Sequence, residues 1–428
     1  MLPFMTQEYF FEGDVVIVGG GLAGLTLALA MDQAGLSVAV VDALPVEDQL
    51  APTFDGRSSA LAYTSWRMFE ALGVAEHLHP HTQRIEHILV CDGRPYGGTK
   101  PGGPGRHSLH FDRREISDGP DGEPLGWMAE NRHTRHALVK VLKNRDRIVA
   151  ISPAKVINHE IFGDHGEVTL DDGRKLSASL IVACDGKFSR RKAQSGVRSY
   201  GWNYGQNGVV ATVQHEEPHN GVAYEYFMPA GPFAILPLPD NRSSLVWTEG
   251  DKAAAALKNA SDEVFQYELE NRFGDFLGKV RPVGPRWVYP LGLRYSEHFC
   301  QPRLAFVGDA ARGIHPIAGQ GFNLGIRDAA ALAEVCGEAK RTGHDLGALT
   351  TLRRYEDWRK FDSATLAVGT DIFTRLFSND IEPIRHIRGL GLSIVNAIPP
   401  ARRFFMRQAG GETGDPPRLL KGEKLTAA

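Results

Sequence analysis

The chain has 428 residues, a formal net charge of -3 and a sequence pI near 6.6. That length exceeds what one hydrophobic core fills, and that charge lacks the basic excess of a protein that tracks a phosphate backbone, so two interleaved domains are expected and nucleic acid is not an expected partner. The four cysteines, Cys91, Cys184, Cys300 and Cys336, form no CxxC pair, which argues against a zinc site or a disulfide framework and for a reducing, cytoplasmic setting.

The opening MLPFMTQEYFFEGD carries acids and aromatics rather than a basic start and an apolar stretch, so no secretion signal is expected. Apolar runs such as 14–21 and 179–183 fall short of the ~20 residues that cross a bilayer, which leaves membrane contact peripheral at most. The segment DVVIVGGGLAGLTLALAMDQAGLSVAVVDA then predicts a strand, a glycine turn, a helix and a second strand ending at Asp42, a βαβ unit. Its Gly19, Gly21 and Gly24 stand in G-x-G-x-x-G spacing, with Leu22 and Ala23 opening the helix. Missing side chains there let backbone N–H groups and the helix N-terminus approach a pyrophosphate. Asp42, at the end of the second strand, can accept from a ribose, and an acid at that position points to FAD or NAD rather than NADP.

Farther on, 58–72 has helical spacing, 94–126 is crowded with turn formers, and 131–142 again reads as a helix. A DDG turn followed by SLIVACDG predicts a strand that returns to the first sheet. Between about 200 and 288, alternating segments such as VAYEYFM, FAILPLP and SSLVWTE predict antiparallel strands of a second layer, with helices near Ala253 and Asp262. RLAFVGDAA then re-enters the nucleotide domain, with a helix over 323–342. The expected organisation is α/β: a nucleotide-binding domain at 13–90, 125–195 and 300–345, an antiparallel substrate-binding sheet at 91–124 and 196–299, a helical region at 346–410 broken at Pro399-Pro400, and a flexible tail at 411–428.

Gly308-Asp309-Ala310-Ala311 is followed by HPIAGQGFNLGIRD at 315–328, and this run is similar, position for position, to the signature of the ubiquinone-biosynthesis hydroxylases. The resemblance spans nearly the whole chain and implies a Rossmann-like FAD-binding domain of the p-hydroxybenzoate hydroxylase type, with FAD as cofactor. Asp309 at a strand end can bind ribityl hydroxyls, and the loop Pro316, Gly319, Gln320, Gly321, continuing to Phe322 and Asn323, brings backbone donors toward the flavin edge that becomes negative on reduction. Cys184-Asp185-Gly186 resembles the Asp-Gly motif this class places between the flavin and a pyridine nucleotide. That motif usually continues to an arginine, where this chain has Lys192 after Arg190 and Arg191. Arg57 resembles the arginine near the cofactor phosphates or the substrate entrance, and Asn131 the polar residue on the flavin chain.

The chemistry so implied is uptake of O2 by reduced FAD as a C4a-hydroperoxide and transfer of one oxygen to a phenolic ring, with NAD(P)H or a ferredoxin system as electron donor. An electron-rich phenol needs no strong protein base for this, so none is named. Phe233, Leu236, Pro237 and Leu238 are the expected pocket wall, each equally readable as core. A prenylated phenol would bring the protein to the inner face of a membrane or to other quinone-biosynthesis proteins. Arg385, Arg388, Arg402, Arg403 and Arg407, interleaved with apolar residues, suit such a contact or a homo-oligomer interface, and packing on the parent domain is an equal reading. Histidines such as His133 and His136 lack a carboxylate or cysteine at zinc spacing, so no metal is expected. A same-fold hydroxylase of a soluble aromatic or polyketide, or a flavin dehydrogenase or oxidase, remains the competing reading.

Overall fold

The computed structural model describes residues 9–51, 56–92, 108–117, 122–314, 319–377, 391–412 and 414–425. Strand Phe11–Val18 runs into the glycine turn, helix Leu22–Gln33 follows, and strand Val38–Val41 returns alongside the first. Val15–Val18 and Val38–Val41 are buried without alternation, as a parallel strand covered on both faces requires. The parallel order is Leu304–Phe306, Lys175–Ala183, Phe11–Val18, Val38–Val41, Ile148–Ile151, so neighbouring strands come from distant parts of the chain. A hairpin of Val156–Ile161 and Gly166–Leu170 joins Lys175–Ala183 antiparallel.

The second large sheet has the order Arg312–Gly313, Val280–Ser296, Ser199–His215, Arg242–Gly250, Gly231–Leu238, Val222–Met228, His87–Asp92, Ser108–Asp112. Its pairs are antiparallel except that between Val222–Met228 and His87–Asp92. Because side chains alternate along a strand, one face carries Tyr226, Phe233, Ile235, Leu245 and Trp247 into a core closed by helices Asp251–Asn259 and Asp262–Phe273. The other face looks into a cavity.

Two expectations need correcting. Helical spacing at 58–72 splits: Ser58–Ala62 is a strand and only Tyr63–Leu72 is helical. Ser58–Ala62 pairs with Gly126–Glu130, which also pairs with Thr82–Ile85, in a small sheet. A Cβ on Gly126 would lie 2.5 Å from the Leu61 carbonyl oxygen, so the glycine makes that pairing close enough. The expected break at Pro399-Pro400 falls where the helix over 391–397 stops and helix Pro399–Gly410 begins, since proline at the first helical positions lacks only a donor that would go unused. Finally, residues 414–425 are no free tail: Leu419, Leu420 and Leu425 are buried in the main core, and the Leu425 N–H donates to Gln33 Oε1 at 3.1 Å. Three leucines spaced along a short segment bury enough apolar surface to hold it.

Candidate active site

The glycine turn is shaped by close approaches. Gly19 has φ +110°, and a Cβ there would sit 2.5 Å from the Cys184 carbonyl oxygen. A Cβ on Gly24 would strike the Gly19 carbonyl oxygen, whereas one on Gly21 meets no protein atom. No side chain caps helix Leu22–Gln33, so its first N–H groups are left to an anion. Asp42 braces the turn from the next strand: Oδ2 accepts from Gly20 N–H at 2.7 Å, and Oδ1 accepts from Leu44 N–H and Gln49 Nε2. Leu22 opens the helix and Ala23 is its contact with the second motif, since Cβ atoms built on Gly308 and Gly325 would lie 3.5 and 3.4 Å from the Ala23 Cβ.

That second motif follows strand Leu304–Phe306 as a short turn, Gly308–Ala310. Its position is fixed by a buried charge network. Asp328, fully buried, accepts from Gly308 N–H at 3.0 Å, from both terminal nitrogens of Arg312 at 2.7 and 2.8 Å, and from Arg359 Nε at 3.0 Å. Asp309 then faces the cavity, where burial pushes its carboxyl pKa up, opposed by Arg312 and Lys187. Helix Gln320–Arg341 starts behind it, uncapped by a side chain, with Gly319 at φ +63° and Gly319, Gln320, Gly321 and Phe322 on the cavity lining. Asn323 ties this start to the small sheet: its Oδ1 accepts from Ala62 N–H and Ser65 Oγ, and its Nδ2 donates to the Ala60 carbonyl. Pro316 lies outside the described residues.

Arg57 and Asn131 meet on the same cavity, the Arg57 carbonyl accepting from Asn131 N–H at 2.9 Å and Asn131 Oδ1 accepting from Ser59 Oγ at 2.7 Å. Asp185 is turned to its own chain: Oδ2 accepts from the N–H groups of Arg190 and Arg191, while Oδ1 is buried with no partner among the described residues. Lys192 is buried and donates from Nζ to Ser296 Oγ, and its pKa is lowered by burial first and Arg294 second. Arg190 is the exposed cation of that run.

The cavity measures about 1080 Å³ and runs from Asp309 and the start of helix Gln320–Arg341 across the open face of the large sheet. Its floor is set by strand parity. Pro232, Ala234 and Leu236 line it, while Phe233 points into the opposite core, 5.7 Å from the Trp247 ring. Leu236 is therefore the member of the expected wall on the lining; Phe233 is core, Leu238 is buried beneath with Met128, and Pro237 is off the lining. Ile88, Val90, Leu109, Phe111 and Phe227 extend the floor, and Leu366, Leu392, Val395, Phe405 and Met406 close it from the C-terminal helices. Sequence reasoning had no signal for Glu225, a carboxyl on this apolar floor whose pKa burial raises to about 8.

FAD fits this arrangement. Two uncapped helix N-termini, the side-chain-free approach at Gly21 and the cavity-facing Asp309 supply donors for phosphates and a flavin edge and an acceptor for hydroxyls.

The FAD binding domain family matches residues 12–356. The chain is 44% identical over 417 residues, 96% of its own length and 93% of the relative's, to the ubiquinone hydroxylase UbiL of Rhodospirillum rubrum. It is 32% identical over 93% of its length to the 3-demethoxyubiquinol 3-hydroxylase of Escherichia coli, 98% of which is covered. Among solved structures, p-nitrophenol 4-monooxygenase PnpA from Pseudomonas putida superposes with a TM-score of 0.75 at 18% identity, over 94% of this chain and 99% of that one, which shows a shared fold. The chain belongs to the ubiquinone-biosynthesis hydroxylase family and is an FAD-dependent aromatic-ring monooxygenase.

Proposed function

We propose that the protein hydroxylates the ring of a polyprenylated phenol, a ubiquinone precursor, taking electrons from NAD(P)H or a ferredoxin system. The observation that carries this reading is the cavity itself. Its floor and C-terminal wall are apolar well beyond the reach of one ring, which suits a prenyl tail, whereas a soluble aromatic acid would call for fixed cations along that wall. Bound FAD supplies the activation of O2 and the delivery of one oxygen atom. The chain's own residues do the rest. With FAD bound, the N–H groups at Gln320 and Gly321 would stabilise negative charge on the flavin, Asp309 would accept from its ribityl hydroxyls, Arg57 and Asn131 would hold the cofactor, and the apolar walls would keep water from the reacting atoms.

Phe404, 63% exposed, and the neighbouring Ile394 and Ile398 lie on the C-terminal segments that close the cavity, which supports delivery of the substrate from a membrane surface. No helix among the described residues is long and apolar enough to cross a membrane. The test is mass spectrometry of quinone intermediates in cells lacking the protein, after purification confirms a yellow, FAD-loaded enzyme. Accumulation of a prenylated phenol one oxygen short is expected. Unaltered quinones together with bound FAD would transfer the reading to a soluble aromatic substrate. Anaerobic reduction of the bound flavin by NADH, NADPH or reduced ferredoxin identifies the donor.

A further inference from the structure

Strand Val222–Met228 presents Ala223, Glu225 and Phe227 to the cavity. Glu225 stands in register between Val90 on one neighbouring strand and Ala234 on the other, both on the lining, and Phe227 beyond it packs with Leu109 and Leu392. No described residue offers its carboxyl a hydrogen bond or an opposite charge, and burial alone pushes its pKa up to about 8. The other ionisable side chains on the cavity, Arg57, Lys187, Tyr224, Tyr289 and Asp309, contribute nothing to that shift. Glu225 is half-buried and open only to the cavity it lines, and a polar group facing an apolar surface without a partner costs free energy. A carboxyl aimed into an apolar binding cavity is answered when its ligand arrives.

We propose that Glu225 orients the substrate ring, its carboxyl hydrogen-bonding the phenolic hydroxyl and so selecting which ring carbon is presented for hydroxylation. The role rests on the phenolic substrate proposed above. The phenol O–H donates to the carbonyl oxygen of Glu225, and the carboxyl O–H finds its acceptor in the phenolic oxygen. The prenyl tail then runs along the apolar floor, so the ring is held at one end by polarity and at the other by shape. As pH rises through about 8 the carboxyl ionises, and a charge facing a dried ring and tail is poorly solvated, so phenol affinity falls.

The test compares FAD-loaded wild type with Glu225→Gln and Glu225→Leu, using a short-tailed 2-prenylphenol. Binding is followed by perturbation of the flavin absorbance at pH 7 and pH 9.5, hydroxylated product is counted per reducing equivalent consumed, and thermal melts and FAD content verify that each variant folds. Expected for Glu225→Leu are affinity lowered about tenfold, the loss of a ligand hydrogen bond, and a mixture of ring positions or a drop in coupling. Glu225→Gln, which keeps a neutral acceptor and donor, should bind within about threefold of wild type at pH 7 and lose the fall in affinity at pH 9.5. A Glu225→Leu enzyme that binds and couples like wild type overturns the proposal, as does a Glu225→Gln enzyme as damaged as Glu225→Leu. A wild type that neither binds nor hydroxylates the phenol overturns the substrate reading itself, and this role with it.

Discussion

The two large sheets bury a carboxylate in opposite ways. Beside the nucleotide sheet, Asp328 is sealed from solvent but answered by Gly308 N–H, Arg312 and Arg359, so its charge is neutralised in place. On the floor of the second sheet, Glu225 is half-buried among apolar side chains, faces the cavity and is answered by no described residue, so its proton is held to higher pH instead. The first arrangement fixes a backbone turn; the second leaves hydrogen-bonding capacity for something else. Burial of an acid therefore separates a structural role from a binding role only when its partners are counted.

The largest effect that sharpens this contrast is expected for Asp328→Ala. It strands Arg312 as an unpaired buried cation, leaves Arg359 only its pair with Asp362, and should cost about 3–5 kcal/mol in a denaturation experiment. A loss below about 1 kcal/mol would show that the network relaxes to water. Next comes Phe233→Ala on the core side of the cavity strand, expected to cost about 3 kcal/mol while leaving the product unchanged. A change of product with little loss of stability would reverse the assignment of the two faces. Gly21→Val adds a Cβ that meets no protein atom within 4 Å, so the apoprotein should melt close to wild type while FAD affinity falls about a hundredfold by equilibrium dialysis.

The smallest effect has the opposite sign. Glu225→Gln should stabilise the apoprotein, because the native Glu225 keeps its proton to about pH 8 whereas the unfolded chain releases it near the ordinary glutamate value. Native stability is thus lost as pH rises from that value to about 8. The variant's advantage should be absent at pH 4 and reach about 1 kcal/mol at pH 9 in denaturant titrations, well below the ~5 kcal/mol of an undiscounted shift from 4.5 to about 8 because the side chain is only half-buried, and a pH-independent difference would remove the protonated carboxyl from the comparison.

What could be read from the chain follows from what is local in it. The strand, the glycines, the helix and Asp42 are contiguous, and their spacing alone encodes the βαβ turn; the loop after Gly308 is legible for the same reason. Gly231–Leu238 is apolar on both faces, so alternation gives a strand without saying which side meets the core, and Phe233 and Leu236 are separable only by their neighbours. Glu225 between Tyr224 and Tyr226 has the pattern of an acid on a solvated face; a cavity covered by residues more than a hundred positions downstream encloses it instead. Arg312 and Asp328 carry no motif for their pairing. Ser58–Ala62 took helical spacing because its strand partner at 126–130 is invisible to a local window.

The packing of Leu419, Leu420 and Leu425 bears on how the protein is made. Gln33, on the first helix, takes its hydrogen bond from a residue 392 positions later, and strand Lys175–Ala183 pairs on its far side with Leu304–Phe306. A nascent chain emerging at about 5–20 residues per second holds its first βαβ unit with an uncovered apolar flank for tens of seconds before those partners leave the ribosome. The glycine turn, the earliest recognisable piece of the sequence, is among the last to acquire its full set of neighbours, and chaperone capture during synthesis is expected to concentrate on residues 11–41.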